Sequence, residues 1–283
     1  MLSYVVVCKG RLHHLKVTLP ILMRMQGEVI VVDDNCPDGT ADWVAANHPA
    51  AVVQRFVDGQ PFNLSRARNS GAAIAKGAWR CLIDADVCLR DGFSALVSST
   101  VGQDCFFSVR PFHEKRGIGG TCVVRAKHFH RIGGYDEVIV GWGGEDTDLY
   151  HRLKQSGLRH LLLPHDVVDH VLRHEDAERT RFYGYTDTRV SDTINTLYRL
   201  AKHYLFAMAP GAVGDVATRK HIREAAEACV KQAMQNPGRT APLRIALPPV
   251  QGIAFYSSKV KQSLVLEVNV EQLMTQPAAV HIG

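Results

Sequence analysis

From residue 3 to about residue 163, short apolar runs alternate with longer amphipathic ones. Residues 3–8 read as a strand and residues 12–25 as a helix, which Pro20 is expected to kink or stop. An apolar strand over 28–32 ends in Asp33, Asp34 and Asn35. Pro37, Asp38 and Gly39 make a turn, and Thr40 can cap a helix through residue 47. A third strand covers 51–57. Asn63 or Ser65 caps a helix over 66–76, Gly77 closes it, and a fourth strand covers 79–83. Strands alternating with helices predict parallel pairing and helices on both faces of one sheet.

The pattern then changes. Residues 105–109 and 121–125 read as strands of a mixed edge. A helix over 145–155 puts Leu149 and Leu153 on one face and stops at Gly157, and 159–163 is a further strand. Beyond about residue 184 the alternation ends. Helices are expected over 193–208 and 216–235, then a stretch with Pro and Gly, then strand-like runs at 253–256 and 263–270. The chain thus divides into an α/β domain, 1–184, and a mainly helical extension, 185–283, with no internal repeat.

Composition narrows the class. With 46% hydrophobic and 22% charged residues, the 283-residue chain is neither collagen-like nor disordered. Its apolar runs fall short of the ~18 residues a membrane span needs. The first one breaks at Lys9, unlike a secretory signal. The net charge of +5 is too small to argue for duplex DNA, and no nucleic-acid partner is expected. From residue 184 onward there are 11 basic and 7 acidic residues, so most of the excess lies there. A solvated surface is one reading of that excess; peripheral contact with an anionic membrane face is the other. Seven cysteines without a CxxC pair fit buried thiols in a reducing, cytoplasmic compartment.

In parallel sheets ligands bind beyond the carboxyl ends of the strands. Polar or acidic residues follow apolar strands at Lys9, at Asp33 and Asp34, and at Asp84 and Asp86. Carboxylates two residues apart can hold a hard divalent cation that neutralises a diphosphate leaving group; an Asp-rich turn is the bland alternative. Trp142, Gly143 and Gly144 lead into Glu145, Asp146 and Asp148. Acids at a helix start suit its dipole, but glycines beside an aromatic also suit a ligand, with a fixed carboxylate as general base. His165, His170 and His174 form a loose cluster, and a His-plus-Asp site suits Mn²⁺ better than structural Zn²⁺. Arg66 and Arg68 sit where cations are unfavourable, in the first turn of a helix. An anion should compensate them; a solvated side chain is the alternative, more so for Arg66.

Together these residues resemble a nucleotide-sugar glycosyltransferase of the GT-A fold, a Rossmann-like mixed sheet with helices on both faces. Cys8 to Arg11, Val32 to Asp34 and the Asp84–Asp86 pair resemble the family-2 group. Gly133 to Asp136 and Trp142 to Asp146 resemble the C-terminal motif of β-1,4-galactosyltransferases and the modules of chondroitin polymerase. The resemblance covers about 3–175. It implies that Asp33 contacts uracil or ribose and that Lys9, Arg11, Arg68 and Asp84 lie toward the nucleotide. It implies Asp86 and His174 as ligands of Mn²⁺ or Mg²⁺, with His170 near them. Glu145 would bind sugar hydroxyls beside Trp142, Gly143 and Gly144, and Asp146 would be the catalytic base.

The implied reaction is a metal-dependent, inverting transfer from a UDP-sugar to a hydroxyl of a glycan or lipid-linked acceptor. Two positions depart from the galactosyltransferase pattern. Val171 stands where that family supplies a methionine ligand, and Gly117 aligns near the position where that family carries a bulky tyrosine, a small residue there implying room for an N-acetyl group. The lack of a stem or anchor points toward a bacterial surface-polysaccharide or glycolipid enzyme. The competing readings are a nucleotidyltransferase and a non-catalytic nucleotide- or carbohydrate-binding module.

Overall fold

The computed structural model describes residues 1–100, 104–110, 118–173, 175–208, 214–246 and 263–269. It separates into two units. The first comprises Met1–Glu137 and Glu145–Tyr183; the second takes Val138–Gly144 and the described residues from Gly184 onward. Residues 138–144, expected in the first domain, therefore pack with the second.

The first unit is built on a seven-stranded sheet. Its strands are β1 (Leu2–Cys8), β2 (Glu28–Asp34), β3 (Val52–Phe56), β4 (Trp79–Asp84), β6 (Cys105–Val109), β7 (Cys122–Arg125) and β8 (Arg159–Leu163). The order is β3-β2-β1-β4-β7-β6-β8. Strands β3, β2, β1 and β4 run parallel, whereas β7 is antiparallel to both β4 and β6. Every residue of β1 is buried, as expected of a central strand covered on both faces.

Helices flank this sheet. On one face Tyr4, Val6 and Cys8 pack with Leu12, Leu15, Leu19 and Leu22 of α1 (Leu12–Arg24). On the other, Val5 and Val7 pack with Ala67 and Ala72 of α3 (Leu64–Ile74) and with Leu149 and Leu153 of α6 (Glu145–Gln155). The alternation along β1 sends its side chains to opposite layers. Helices α2 (Thr40–Asn47), α4 (Phe93–Thr100), α5 (Ala126–Arg131) and α7 (Asp176–Thr180) complete the unit.

Pro20 neither stops nor divides α1. The missing amide would have paired with Lys16, which lies on the exposed face, where solvent can satisfy its carbonyl. Four buried leucines, each stabilising by about 1.5–3 kcal/mol, outweigh the ~3 kcal/mol an internal proline costs. Helix α3 starts earlier than expected, capped by Asn63, whose side chain accepts from the Arg66 amide at 3.0 Å.

A short antiparallel ribbon, β5 (Val87–Leu89) with β9 (Val168–Val171), adjoins the Asp84–Asp86 turn. The sequence pattern did not predict it, and His170 lies in β9.

The second unit contains α8 (Thr188–Met208), α9 (Val216–Gln235) and the antiparallel pair β10 (Ala241–Ala246) and β11 (Ser263–Val268). Ile194, Leu197, Tyr198 and Ala201 of α8 pack with Ile222, Ala226 and Val230 of α9 around Val138 and Ile139. Strand β10 falls where a Pro- and Gly-containing connection was expected, and the expected strand at 253–256 lies outside the described residues. Among the described residues no helix is long and apolar enough to cross a membrane.

Candidate active site

The parallel register aligns the strand ends. Cys8 pairs with Asp33 and Val7 pairs with Asp84, so the residues leaving β1, β2 and β4 share one rim. Strand order reverses between β1 and β4, the place where open sheets hold ligands.

Arg68 occupies that rim from α3. Its side chain is 2% exposed, yet it meets three carboxylates. One terminal nitrogen lies 2.6 Å from Asp84 Oδ1; the other lies 2.9 Å from Asp146 Oδ1 and 3.4 Å from Glu145 Oε1. The Tyr135 ring lies 5.0 Å from the guanidinium, and the Tyr135 hydroxyl donates to Asp146 Oδ1 at 2.9 Å. Tyr135 is fixed in turn by Asn69, which exchanges hydrogen bonds with its backbone amide and carbonyl at 2.8 and 3.0 Å.

The acids remain partly open: Asp84 is 33%, Glu145 14% and Asp146 22% exposed at the side chain. Burial pushes the Asp146 carboxyl well above the usual carboxylate range. Arg68 opposes that rise, while Glu145 and Asp84 add to it as like charges. For Arg68, burial disfavours the charge, but Asp146, Tyr135, Asp84 and Glu145 together hold the guanidinium firmly protonated. Burial likewise keeps the Tyr135 hydroxyl protonated as a donor.

Gly120 permits this convergence. A Cβ there would lie 2.9 Å from Asp146 Oδ2 and 3.2 Å from Asp84 Oδ2.

The turn after β4 is pinned from both sides. The Thr18 hydroxyl donates to the Ala85 carbonyl at 2.8 Å, and the Leu172 amide donates to the Asp86 carbonyl at 2.8 Å. Asp86 is buried, and its carboxylate lies 3.7 Å from Arg11. Three acids share the single positive charge of Arg68, and Asp86 stands two residues from Asp84. Carboxylate oxygens are the donors a hard divalent cation such as Mn²⁺ or Mg²⁺ takes; in this structure Arg68 engages Asp84, Glu145 and Asp146, and Arg11 lies against Asp86.

Other expected residues have protein partners of their own. Both oxygens of Asp33 accept backbone amides, from Cys36 at 2.6 Å and Ala41 at 2.7 Å, so Asp33 shapes the loop between β2 and α2. Lys9 donates to the carbonyls of Asp34 and Asn35 at 2.7 and 2.8 Å and lies 5.2 Å from the Phe182 ring. Its ammonium braces that loop. Arg66 is not merely solvated: it lies 3.4 Å from Asp34 and 3.1 Å from Asp58. His170 is half exposed and bonds Asp169 at 2.8 Å, opposite Cys88 in the ribbon. Asp148, the third acid of α6, is buried against Arg152 at 2.7 Å. His174 and Gly117 lie outside the described residues.

Trp142, Gly143 and Gly144 belong to the second unit. The Trp142 amide donates to Ser191 Oγ at 2.8 Å, and Asn195 donates to the Gly143 carbonyl at 2.7 Å. Gly143 and Gly144 have φ of +89° and +90°. A Cβ at Gly143 would stand 2.7 Å from Asp192 Oδ1, and one at Gly144 3.1 Å from the Asn195 Cβ. The two glycines, read as room for a ligand, are required here by backbone conformation and the approach of α8.

Sequence reasoning missed Tyr135 as a donor to Asp146 and Gly120 as the spacer between acids. Gly133 to Asp136 was noticed only as a resemblance. It also missed Tyr183, whose hydroxyl is pushed up by burial and by Glu145, with Arg68 and Arg11 opposing, which places it within electrostatic reach of the acids.

Comparison with known proteins agrees with this architecture. Residues 3–101 match the model described as glycosyl transferase family 2. Residues 107–183 match that described as the N-terminal domain of galactosyltransferase. A rat β-1,4-galactosyltransferase 6 is 31% identical over 111 residues, covering 35% of this chain and 28% of that enzyme. A probable N-acetylgalactosaminyltransferase 6 of Caenorhabditis elegans is 31% identical over 109 residues, covering 36% of this chain. This chain spans 17% of that protein's length. The structure of GalNAc-T7 with UDP, GalNAc and Mn²⁺ superimposes with a TM-score of 0.54 at 17% identity, covering 82% of this chain and 56% of that one. The mannosyltransferase PcManGT from Pyrobaculum calidifontis, with GDP-Man and Mn²⁺, gives 0.52 at 19% identity, covering 81% and 69%. The fold is that of the GT-A glycosyltransferases.

Proposed function

We propose that this chain, a glycosyltransferase of the GT-A fold, moves a sugar from a UDP-sugar to a hydroxyl of a glycan or glycolipid acceptor with inversion. The observation that carries the reading is the gathering of Asp84, Glu145 and Asp146 on the buried Arg68. Asp146 is the base. Its raised pKa makes it a stronger proton acceptor than a free carboxylate, and Arg68 and Tyr135 fix its orientation. As the acceptor oxygen bonds to the anomeric carbon, the bond from that carbon to the diphosphate breaks and the acceptor's proton passes to Asp146. A single displacement turns an α-linked donor into a β-glycoside.

Asp86, with His174 from the family resemblance, is the residue set we assign to Mn²⁺ or Mg²⁺. A divalent ion there supplies Lewis-acid stabilisation to the leaving diphosphate. The GalNAc-T7 neighbour, solved with UDP, supports a UDP donor, and the GDP-Man neighbour makes the nucleobase a point to test. A bacterial surface-polysaccharide setting belongs to this reading as the part still to be tested, since the two relatives named above are animal proteins. Seven free cysteines, six of them buried, support a reducing, cytoplasmic location. Within the second unit, exposed Leu200, Tyr204 and Met208 at a spacing of four along α8, in the basic part of the chain, support peripheral contact with an anionic membrane face.

The test is nucleotide release from UDP-Gal, UDP-GalNAc, UDP-Glc, UDP-GlcNAc, UDP-GlcA and GDP-mannose, with Mn²⁺ and with EDTA. Release from a UDP-sugar that EDTA abolishes is the expected result, with a β-linked product by NMR. EDTA-insensitive release, an α-linked product or preference for GDP-mannose overturns the corresponding part. No turnover with any donor, with UDP still bound, favours the binding module; pyrophosphate release from a nucleoside triphosphate favours a nucleotidyltransferase.

A further inference from the structure

Cys36 differs from the other six cysteines. They are buried, whereas Cys36 is partly exposed in the loop between β2 and α2. Its sulfur sits among donors. The Gly10 amide donates to it at 3.1 Å, the Thr40 hydroxyl donates at 3.1 Å, and the Asp38 amide also points to it. The Cys8 thiol, at the end of β1, hydrogen-bonds to the same sulfur and lies 3.3 Å from the Thr40 hydroxyl. Such a cradle stabilises a thiolate rather than a thiol.

We propose that Cys36 is a nucleophilic modification site for peroxides and that Cys8 is its resolving thiol. The Cys36 thiolate attacks one oxygen of hydrogen peroxide, the O–O bond breaks, and a proton from solvent completes the water that leaves. Cys36 is then a sulfenic acid. The Cys8 sulfur attacks it, the S–O bond breaks, and the Cys8 proton leaves with the hydroxyl as a second water. The net change is two thiols and one peroxide to one disulfide and two waters.

The charge states agree with these roles. The hydrogen bond from Cys8, opposed by burial and helped by Thr40 and the Asp38 and Gly10 amides, lowers the Cys36 pKa to about 6. The bond to Cys36 and burial push Cys8 up, so it keeps its proton until the second step. The charged groups nearby have other partners. Asp33 accepts the Cys36 and Ala41 amides, Asp38 the Leu12 amide; Lys9 is on two loop carbonyls and Arg11 faces Asp86.

The site matters because this loop leaves β2 at the rim where the family resemblance puts the donor nucleotide, and the consequence for binding rests on the proposed glycosyl transfer from a UDP-sugar. A Cys8–Cys36 bond takes the Cys36 sulfur out of its cradle and redraws the loop that Asp33 and Lys9 hold. Oxidised protein is expected to bind UDP at least tenfold more weakly.

The experiment treats the full chain with hydrogen peroxide, blocks remaining thiols with iodoacetamide and maps the peptides by mass spectrometry. The expected product is one Cys8–Cys36 crosslink, reversed by dithiothreitol. In Cys8→Ser, Cys36 is expected to stop at the sulfenic acid. The rate of Cys36 alkylation should rise through a midpoint near pH 6, against ~8.5 for a free cysteine. Equal oxidation of the buried cysteines, or an ordinary midpoint, overturns the proposal. UDP titration of both forms separates the two ideas. A crosslink without change in UDP binding overturns the coupling alone. Absence of UDP binding in the reduced form overturns the donor assignment and leaves the thiol site standing.

Discussion

Arg68 Nη1 lies 2.9 Å from Asp146 Oδ1, and this contact positions the proposed base and favours its ionised form against the effect of burial. Arg68 is buried and also meets two further, partly open acids, so its charge cannot be replaced by a neutral group without cost. Arg68→Met leaves Asp84, Glu145 and Asp146 facing one another without a cation. Loss of one partner from a buried charged cluster costs about 3–5 kcal/mol. Urea denaturation should show that loss. A variant as stable as the parent would place the burden of holding the acids elsewhere.

Asp146→Asn keeps the shape and most of the hydrogen bonds but cannot take a proton. Turnover should fall about 10²- to 10⁴-fold while UDP binding persists. The pH dependence follows from the raised carboxyl. Only the ionised form is active, so activity falls as pH drops through a value above the ordinary carboxylate range of about 4. Tyr135→Phe removes a donor that lowers the Asp146 pKa. The acid limb should therefore move to higher pH in that variant. A pH–rate profile of kcat/KM for the three proteins measures both effects; an acid limb unmoved by Tyr135→Phe would detach that hydroxyl from the base.

The rim was legible from the sequence because β1, β2 and β4 are apolar on both faces and end in polar residues. A cation at a helix start also signalled that Arg68 needed an anion. The anion turned out to come from the chain itself, in Asp84, Glu145 and Asp146, which lie 16 to 78 residues away. That distance is why neither Tyr135 nor Gly120 could be read locally. The ribbon of β5 and β9 has only three and four residues, too few to leave a period. Trp142, Gly143 and Gly144 acquire a structural role that the sequence did not show. Glycines at positive φ look the same in sequence whether a ligand or a helix approaches them, and here α8 does.

Gly143→Ala tests that last point. Its φ of +89° is strained for any residue with a Cβ, and the added carbon meets Asp192 at 2.7 Å. Destabilisation of about 1–3 kcal/mol is expected, visible as a lower Tm. Asp192→Ala in the same background removes the clash but not the strain, so it should restore part of the loss. Full stability of Gly143→Ala alone would mean that the loop relaxes freely and that α8 does not dictate the glycine.

The exposed stripe on α8 makes a separate prediction about the second unit. Leu200, Tyr204 and Met208 recur every four residues and so lie along one helix face. Burying such side chains in a lipid interface is worth about 1.5–3 kcal/mol each, and the basic balance of this part of the chain adds attraction to anionic headgroups. Sedimentation with phosphatidylglycerol-containing vesicles should capture the full chain, and phosphatidylcholine vesicles should capture much less. Raising the salt to about 0.5 M should weaken the capture, because the electrostatic part is screened. Leu200→Asp with Tyr204→Asp should reduce binding at least tenfold, with circular dichroism confirming the fold. Equal binding to both lipids, or capture that survives the double substitution, would remove α8 as the membrane-facing element and return its basic residues to ordinary solvated surface.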